Sequence, residues 1–177
     1  MKTFSAAFLG ALALTAFGVS AQNAPPTDPQ IAAIVVTANQ VDIDAGKIAK
    51  SKSKKKEVKE FAQRMITDHT GVNKSATDLV HKLKVTPEES PTSTSLKQGG
   101  DQNVAQLKGL KGAAFDRAYV DHEVTYHQDV LDALDKTLIP NAKNEELKAL
   151  MVKVRPAFVA HLEHAKHLQA SLAKKGA

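Results

Sequence analysis

Five polar side chains of this chain occupy positions where helical spacing calls for apolar ones: Asp42, His69, Glu123, His127 and His161. Imidazole and carboxylate groups are the donors that suit Fe, Mn, Zn or Cu, and helical bundles seat such ions by aiming both kinds of ligand into the core from facing helices. One reading of the five is therefore a transition-metal site. The other is that each inward histidine is neutral and hydrogen-bonded to a neighbouring helix, so that it fixes register rather than doing chemistry. The chain has no cysteine. Thiolate ligands, disulfides and a cysteine nucleophile are thereby excluded.

The remaining motifs give no enzyme. A Glu-x-x-His pair, the mark of di-iron carboxylate bundles, is missing: Glu123 is followed three later by Tyr126, and Glu163 by Lys166. Gly-x-Ser-x-Gly, a phosphate loop and His-Glu-x-x-His are missing too. No catalytic residue and no organic-cofactor residue is assigned. His161, His164 and His167 resemble a ligand ladder, but a repeat of three rotates the outermost ring away, so at most His161 and His164 can share an ion. A solvated histidine face is the expectation there.

Four amphipathic helices must carry these groups. The second is the clearest: Val58, Phe61, Ala62, Met65, His69, Val72, Ala76, Val80 and Leu83 form one stripe at about 100° per residue. Helix one begins at Thr27-Asp28-Pro29, an N-cap followed by proline, and turns Asp42 inward with Ile31, Ile34, Val35, Ala38, Ala45 and Ala49, while Asp44 points away. The run 51–56, SKSKKK, reads as a solvated turn between antiparallel helices. Helix two extends to Leu83 or Lys84 across Gly71, which would permit a close approach or a bend. Val85 to Gly100, with two prolines, a Ser/Thr run and Gly99-Gly100, reads as a loop. A short helix is expected from Asp101 to Leu110, lying across an end or side of the bundle.

Helix three, from about Ala113 to Leu138, turns Glu123 and His127 inward with Val120, Val124, Leu131 and Leu134. Tyr119 is expected half-buried with its hydroxyl outward. Helix four, about Asn144 to Lys174, has His161 at the edge of its stripe and Pro156 on its outer side, where a kink is expected. Counted from a turn near Lys52, Asp42 and His69 lie at levels ~10 Å apart at ~1.5 Å rise per residue. A similar mismatch separates His127 from His161, so this register lets no single ion collect all four residues.

Residues 1–21 carry one early cation, Lys2, an apolar run from Phe4 to Val19, and Val-Ser-Ala as a cleavage signal. That is the pattern of a secretory signal peptide; a flexible leader, 22–29, and one bundle domain, 30–177, would follow. Removal of Lys2 takes the formal charge from +5 to +4. The cations are dispersed, and export makes nucleic acid an unexpected partner. No transmembrane segment is expected in the mature chain, which would be periplasmic. Its partner would be an envelope component or a metal ion.

The runs FAQRMITDHT (61–70), FDRAYVDHEVTYHQDV (115–130) and RPAFVAHLEHA (155–165), with the signal peptide, resemble the bacterial domain of unknown function 4142 family. The resemblance implies an all-α, ferritin-like four-helix bundle exported to the cell envelope, with no established activity. Members often carry an outer-membrane label. Barrels need alternating strands, which this sequence lacks, so any such association would not be through a barrel. Matched residue by residue, the family's recurrent polar positions fall on Asp68, His69, His127 and His161. Its helix-one glutamates fall on Asp42 and Asp44, and the usually apolar position 123 is Glu here: an extra ligand, or a sign of partial solvation. The function expected from all this is a non-catalytic binding or structural role in the envelope, with stress response as one setting. The alternative is metal binding by the inward groups, and an oxidase or peroxide-consuming activity would need an open coordination position besides.

Overall fold

A computed structural model describes residues 24–174, and every element in them is helical. The signal-peptide assignment, 1–21, lies outside the described residues. Helix α1 (Asp28–Lys52) starts where the cap signature placed it: Thr27 Oγ1 accepts from the Gln30 amide, and the Gln30 side chain returns the contact to the Thr27 amide. Ser53 and Lys55 are extended, and α2 (Lys56–Leu83) begins at once. So short a link makes α1 and α2 antiparallel neighbours. They form the most extensive contact in the molecule.

The segment read as a loop is mostly helix. Helix α3 runs Pro91–Gly109 rather than Asp101–Leu110. The signal was present in Ser90-Pro91-x-Ser93, where Ser90 and Ser93 form a reciprocal capping box around a proline in the first turn. Serines, threonines and Gly99-Gly100 are poor helix formers, and packing on α1 overrides them. Gly100 is what lets α3 lie so close: a Cβ there would fall 2.6 Å from Val41 Cγ2. Gly71, by contrast, is exposed with nothing near its missing side chain, so the close approach expected of it belongs elsewhere. Gly100→Ala should therefore destabilise the protein by about 1–3 kcal/mol through overpacking. Gly99→Ala, in open space on the same helix, should stabilise it by about 0.5–1 kcal/mol. Urea unfolding of the two variants tests both signs.

Helix α3 spans the bundle alongside α1. The Glu88 amide, just before it, bonds to Pro29 O at the start of α1, and at its far end Lys52 Nζ donates to Leu107 O and Lys108 O. That crossover returns the chain to the Lys52 end, where α4 (Gly112–Ala133) begins. A π-helical turn (Leu134–Leu138) and a short α-turn (Ile139–Asn141) prolong it. Helix α5 (Glu145–Lys174) runs back antiparallel to α4, continuing through the exposed Pro156. Asp28 accepts from the Lys143 and Asn144 amides, tying the last turn to the start of α1. Two helical hairpins, α1–α2 and α4–α5, thus face each other, joined by a full-length crossover.

The core falls into two apolar clusters. Phe61, Met65, Leu107, Phe115, Tyr119 and Leu168 belong to the one at the Lys52 end; Ile31, Leu134, Leu138, Met151 and Phe158 belong to the other. On each of α1, α2 and α4 the inward polar residues fall between members of the two clusters, and His161 sits at the same junction on α5. They form a polar layer across the waist of the bundle.

Candidate metal centre

Each inward polar residue is placed by a helix whose flanking turns are locked in one of the two apolar clusters. Asp42 comes from α1, His69 from α2, Glu123 and His127 from α4, and His161 from α5; none is more than 3% exposed. The three imidazole centroids form a near-equilateral triangle with sides of 5.2, 5.4 and 5.5 Å. One ring nitrogen from each of the three lies within 4.8 Å of the others, and ligand atoms of Asp42, Glu123 and His127 meet the same limit. The carboxylate of Asp42 joins the groups: its Oδ2 is 2.7 Å from His69 Nε2 and 3.5 Å from His127 Nε2.

The expected offset in level is thereby overturned, since Asp42 meets His69 and His127 meets His161, and the ligands gather in two triads that share His127. Asp42 is ten residues before the end of α1 and His69 thirteen after the start of α2. Counting both from Lys52 had assigned the extended link to helical rise. The remaining three residues amount to ~4.5 Å, which tilt and stagger of the pair absorb. His127 and His161 meet for the same reason, since α5 does not start until Glu145. His161 is fully buried rather than at an edge, while His164 and His167 are exposed. The His161/His164 pairing is therefore not the one the fold makes. Nor is Glu123 solvated, at 1% exposure.

Hydrogen bonds fix the tautomers. Asn39 Nδ2 donates to Val35 O, which leaves its Oδ1 to accept from His69 Nδ1 at 2.7 Å. His127 Nδ1 donates to the Glu123 carbonyl at 3.0 Å, and His161 Nε2 donates to Asp68 Oδ2 at 2.8 Å. Each ring thus has its N–H satisfied on one side. The opposite nitrogens, His69 Nε2, His127 Nε2 and His161 Nδ1, are buried with no hydrogen-bond partner, as are both Asp42 oxygens and Glu123 Oε2. The 2.7 Å approach of His69 Nε2 to Asp42 is at an angle that makes no hydrogen bond. Metal-ligating histidines show this pattern: one nitrogen donates to a carbonyl or carboxylate and the lone pair of the other is left for the ion. Ligands ~2.1 Å from a shared ion lie ~3–4 Å apart.

Electrostatics favour the same arrangement. Burial pushes the Glu123 carboxyl well above its usual range, and the Asp42 charge pushes it further, which favours its neutral form. Burial opposes ionisation of Asp42 as well, but the His69 and His127 imidazoles more than reverse it and hold that carboxyl at about 2. Burial lowers His127, and lowers His161 to about 4. Neutral His127 and His161 imidazoles beside an ionised Asp42 are protonation states that suit a cation.

Three residues of the site were not assigned to it from sequence. Asn39 falls four residues after Val35, on the inward stripe of α1, and that spacing could have found it. Asp68, next to His69, bridges His161 and Arg64, the latter at 3.3 Å. Tyr119 contradicts its expectation: it is wholly buried with its hydroxyl inward, where burial above all raises its pKa well above the ordinary value. If Asp68 orients His161, Asp68→Ala frees that ring to change tautomer. Metal affinity should then fall about 10–100-fold, read by competition against a chelator of known affinity.

No described helix is long and apolar enough to cross a membrane. No curated protein and no solved structure matches this chain. A family model described as a domain of unknown function (DUF4142) matches residues 15–168, nearly the whole length and all five residues of the polar layer. With that match the sequence resemblance is established, and the chain belongs to the DUF4142 family.

Proposed function

We propose that this protein binds one transition-metal ion, of the Fe, Mn, Zn or Cu class, at the waist of its bundle through His69, His127, His161 and Asp42, with Glu123 as an additional oxygen ligand. One observation carries the reading: three buried imidazoles each have one N–H satisfied and the other nitrogen unpartnered, on a common space beside a carboxylate. A purely structural role would leave several buried polar atoms unsatisfied at about 1–3 kcal/mol each, so the geometry favours the metal over the register-setting alternative. Residues 1–21 fit a cleaved export signal, and the site would then work in the periplasm. Metal binding is proposed without turnover.

The test uses untagged protein purified without chelator. Elemental analysis should find close to one transition-metal equivalent per chain. After stripping, adding the right ion at a hundred times its Kd should stabilise the protein by ~2.7 kcal/mol, or about 5–10 °C in melting temperature at this chain length. Protein that carries no stoichiometric metal and gains no stability from Fe, Mn, Zn or Cu overturns the proposal.

A further inference from the structure

Beside the metal layer the bundle holds a cavity of about 600 Å³, walled by residues that include Ile34, Val72, Tyr126, Leu134, Met151 and Phe158. At ~30 Å³ per water it has room for about twenty, and unlike the pockets of about 540 and 590 Å³ beside α3 it is lined by Asn39 and Phe158, next to the polar layer. Its size falls in the range of ~300–1,000 Å³ typical of small-molecule sites. A peptide helix ~10 Å across would fill it in about 8 Å of length, less than two turns. That argues for a small molecule over a docked helix.

The fold constructs this space. The π-helical turn Leu134–Leu138 supplies part of the wall, and such turns inside α-helices mark functional sites more often than chance. The opposite wall is shared with the metal layer. Phe158 stacks on His69 with ring centroids 5.0 Å apart, Asn39 accepts the His69 N–H, and Tyr126 lies edge-on to His127 at 6.1 Å. One layer of side chains separates the cavity from the imidazoles. Asp129, exposed, is the sole charged residue among the described residues lining it. No cation is present to receive an acidic headgroup.

We infer that this cavity is a binding site for a neutral hydrophobic small molecule, seated against Phe158 and selected against anionic amphiphiles by Asp129. The inference stands on the cavity and does not depend on the metal.

N-phenyl-1-naphthylamine serves as a neutral fluorescent probe and dodecanoate as the anionic counterpart, each titrated against the full chain as purified and again after EDTA treatment. The dye should bind saturably, near one per chain, in both preparations, and dodecanoate at least tenfold more weakly. Val154→Trp, which fills the cavity, and Thr137→Trp, exposed at its edge and harmless to folding, should each weaken dye binding at least tenfold with an unchanged circular dichroism spectrum. Asp129→Lys should tighten dodecanoate at least tenfold and move the dye less than twofold. Non-saturable dye binding, or full affinity in the folded Trp variants, overturns the site; dodecanoate binding as tightly as the dye overturns the neutral ligand class. Dye binding that survives while metal analysis fails separates this inference from the metal proposal.

Discussion

His127→Leu should make the metal-free protein more stable and the metal-supplied protein less so. In the metal-free state the imidazole is 1% exposed, and its Nε2 has no hydrogen-bond partner. Its one hydrogen bond goes to the Glu123 carbonyl four residues back, which belongs to α4 itself. Leucine has a similar volume and removes that orphan nitrogen. An unsatisfied buried polar atom costs about 1–3 kcal/mol, and replacing buried polar groups by apolar ones of like shape is often neutral or stabilising. Asp42 keeps its closer imidazole, His69, at 2.7 Å. We expect a gain of about 1–2 kcal/mol in chelator-treated protein, or about 3–6 °C in melting temperature. The variant loses one of three nitrogen ligands, and the metal-dependent gain of ~2.7 kcal/mol at saturating ion should disappear.

Opposite signs in the two states are the diagnostic. If His127 were a register-setting core residue, leucine would lower stability with and without ion alike, and thermal melts would move together. The exposed His167 is the control: His167→Leu should move neither curve. A rise without metal that is matched by an equal rise with metal would leave the polar layer without a ligand role.

How much of this was visible in the sequence differs from residue to residue for physical reasons. The inward faces of α1, α2, α4 and α5 were legible because each holds apolar residues in a 3.6-residue stripe, and all five polar interruptions of those stripes are buried. Helix α3 was obscured because its serines, threonines and paired glycines have low helix propensity. It folds through a cap and through contact with α1, and that contact is not local in sequence. The convergence of the ligands was hidden for a related reason. Register between antiparallel helices depends on where each one stops, and assigning the link from Lys52 to Lys56 to a helix shifts facing levels by about four residues, ~6 Å. Asp68 was visible as a residue, but its pairing with His161 across 93 positions required the fold. The π-turn at Leu134–Leu138 has no periodicity signal separate from that of α4.

The metal-free protein should be most stable near pH 6.5, because the buried groups pull in opposite directions on either side of it. His161 is depressed from 6.5 to about 4, by burial first and then by the neighbouring imidazoles against the opposing pull of Asp68. A group lowered by folding contributes stability that is complete above its unfolded value and is lost as pH falls through the folded one. For His161 that window runs from 6.5 down to about 4, and at ~1.36 kcal/mol per pH unit it amounts to about 3 kcal/mol. His127 shifts in the same direction and adds to the loss. Glu123 works the other way: raised well above 4.5 by burial and by the Asp42 charge, it contributes fully below 4.5 and loses its contribution as pH rises toward the folded value. His122 and His164 are lowered by burial as well, so between 4.5 and 6.5 four histidines outweigh one glutamate and stability climbs with pH. Above 6.5 these four histidines are neutral in either state and the raised Glu123 remains, so stability declines. Urea unfolding of EDTA-treated protein from pH 4 to 9 should trace that maximum. Glu123→Gln, neutral at every pH, should convert the alkaline decline into a plateau. A wild-type curve that keeps rising from pH 7 to 9 would mean that Glu123 is ionised in the folded state. Added metal should reverse the alkaline limb, because an ion that recruits the Glu123 carboxylate releases its proton and binds more tightly as pH rises.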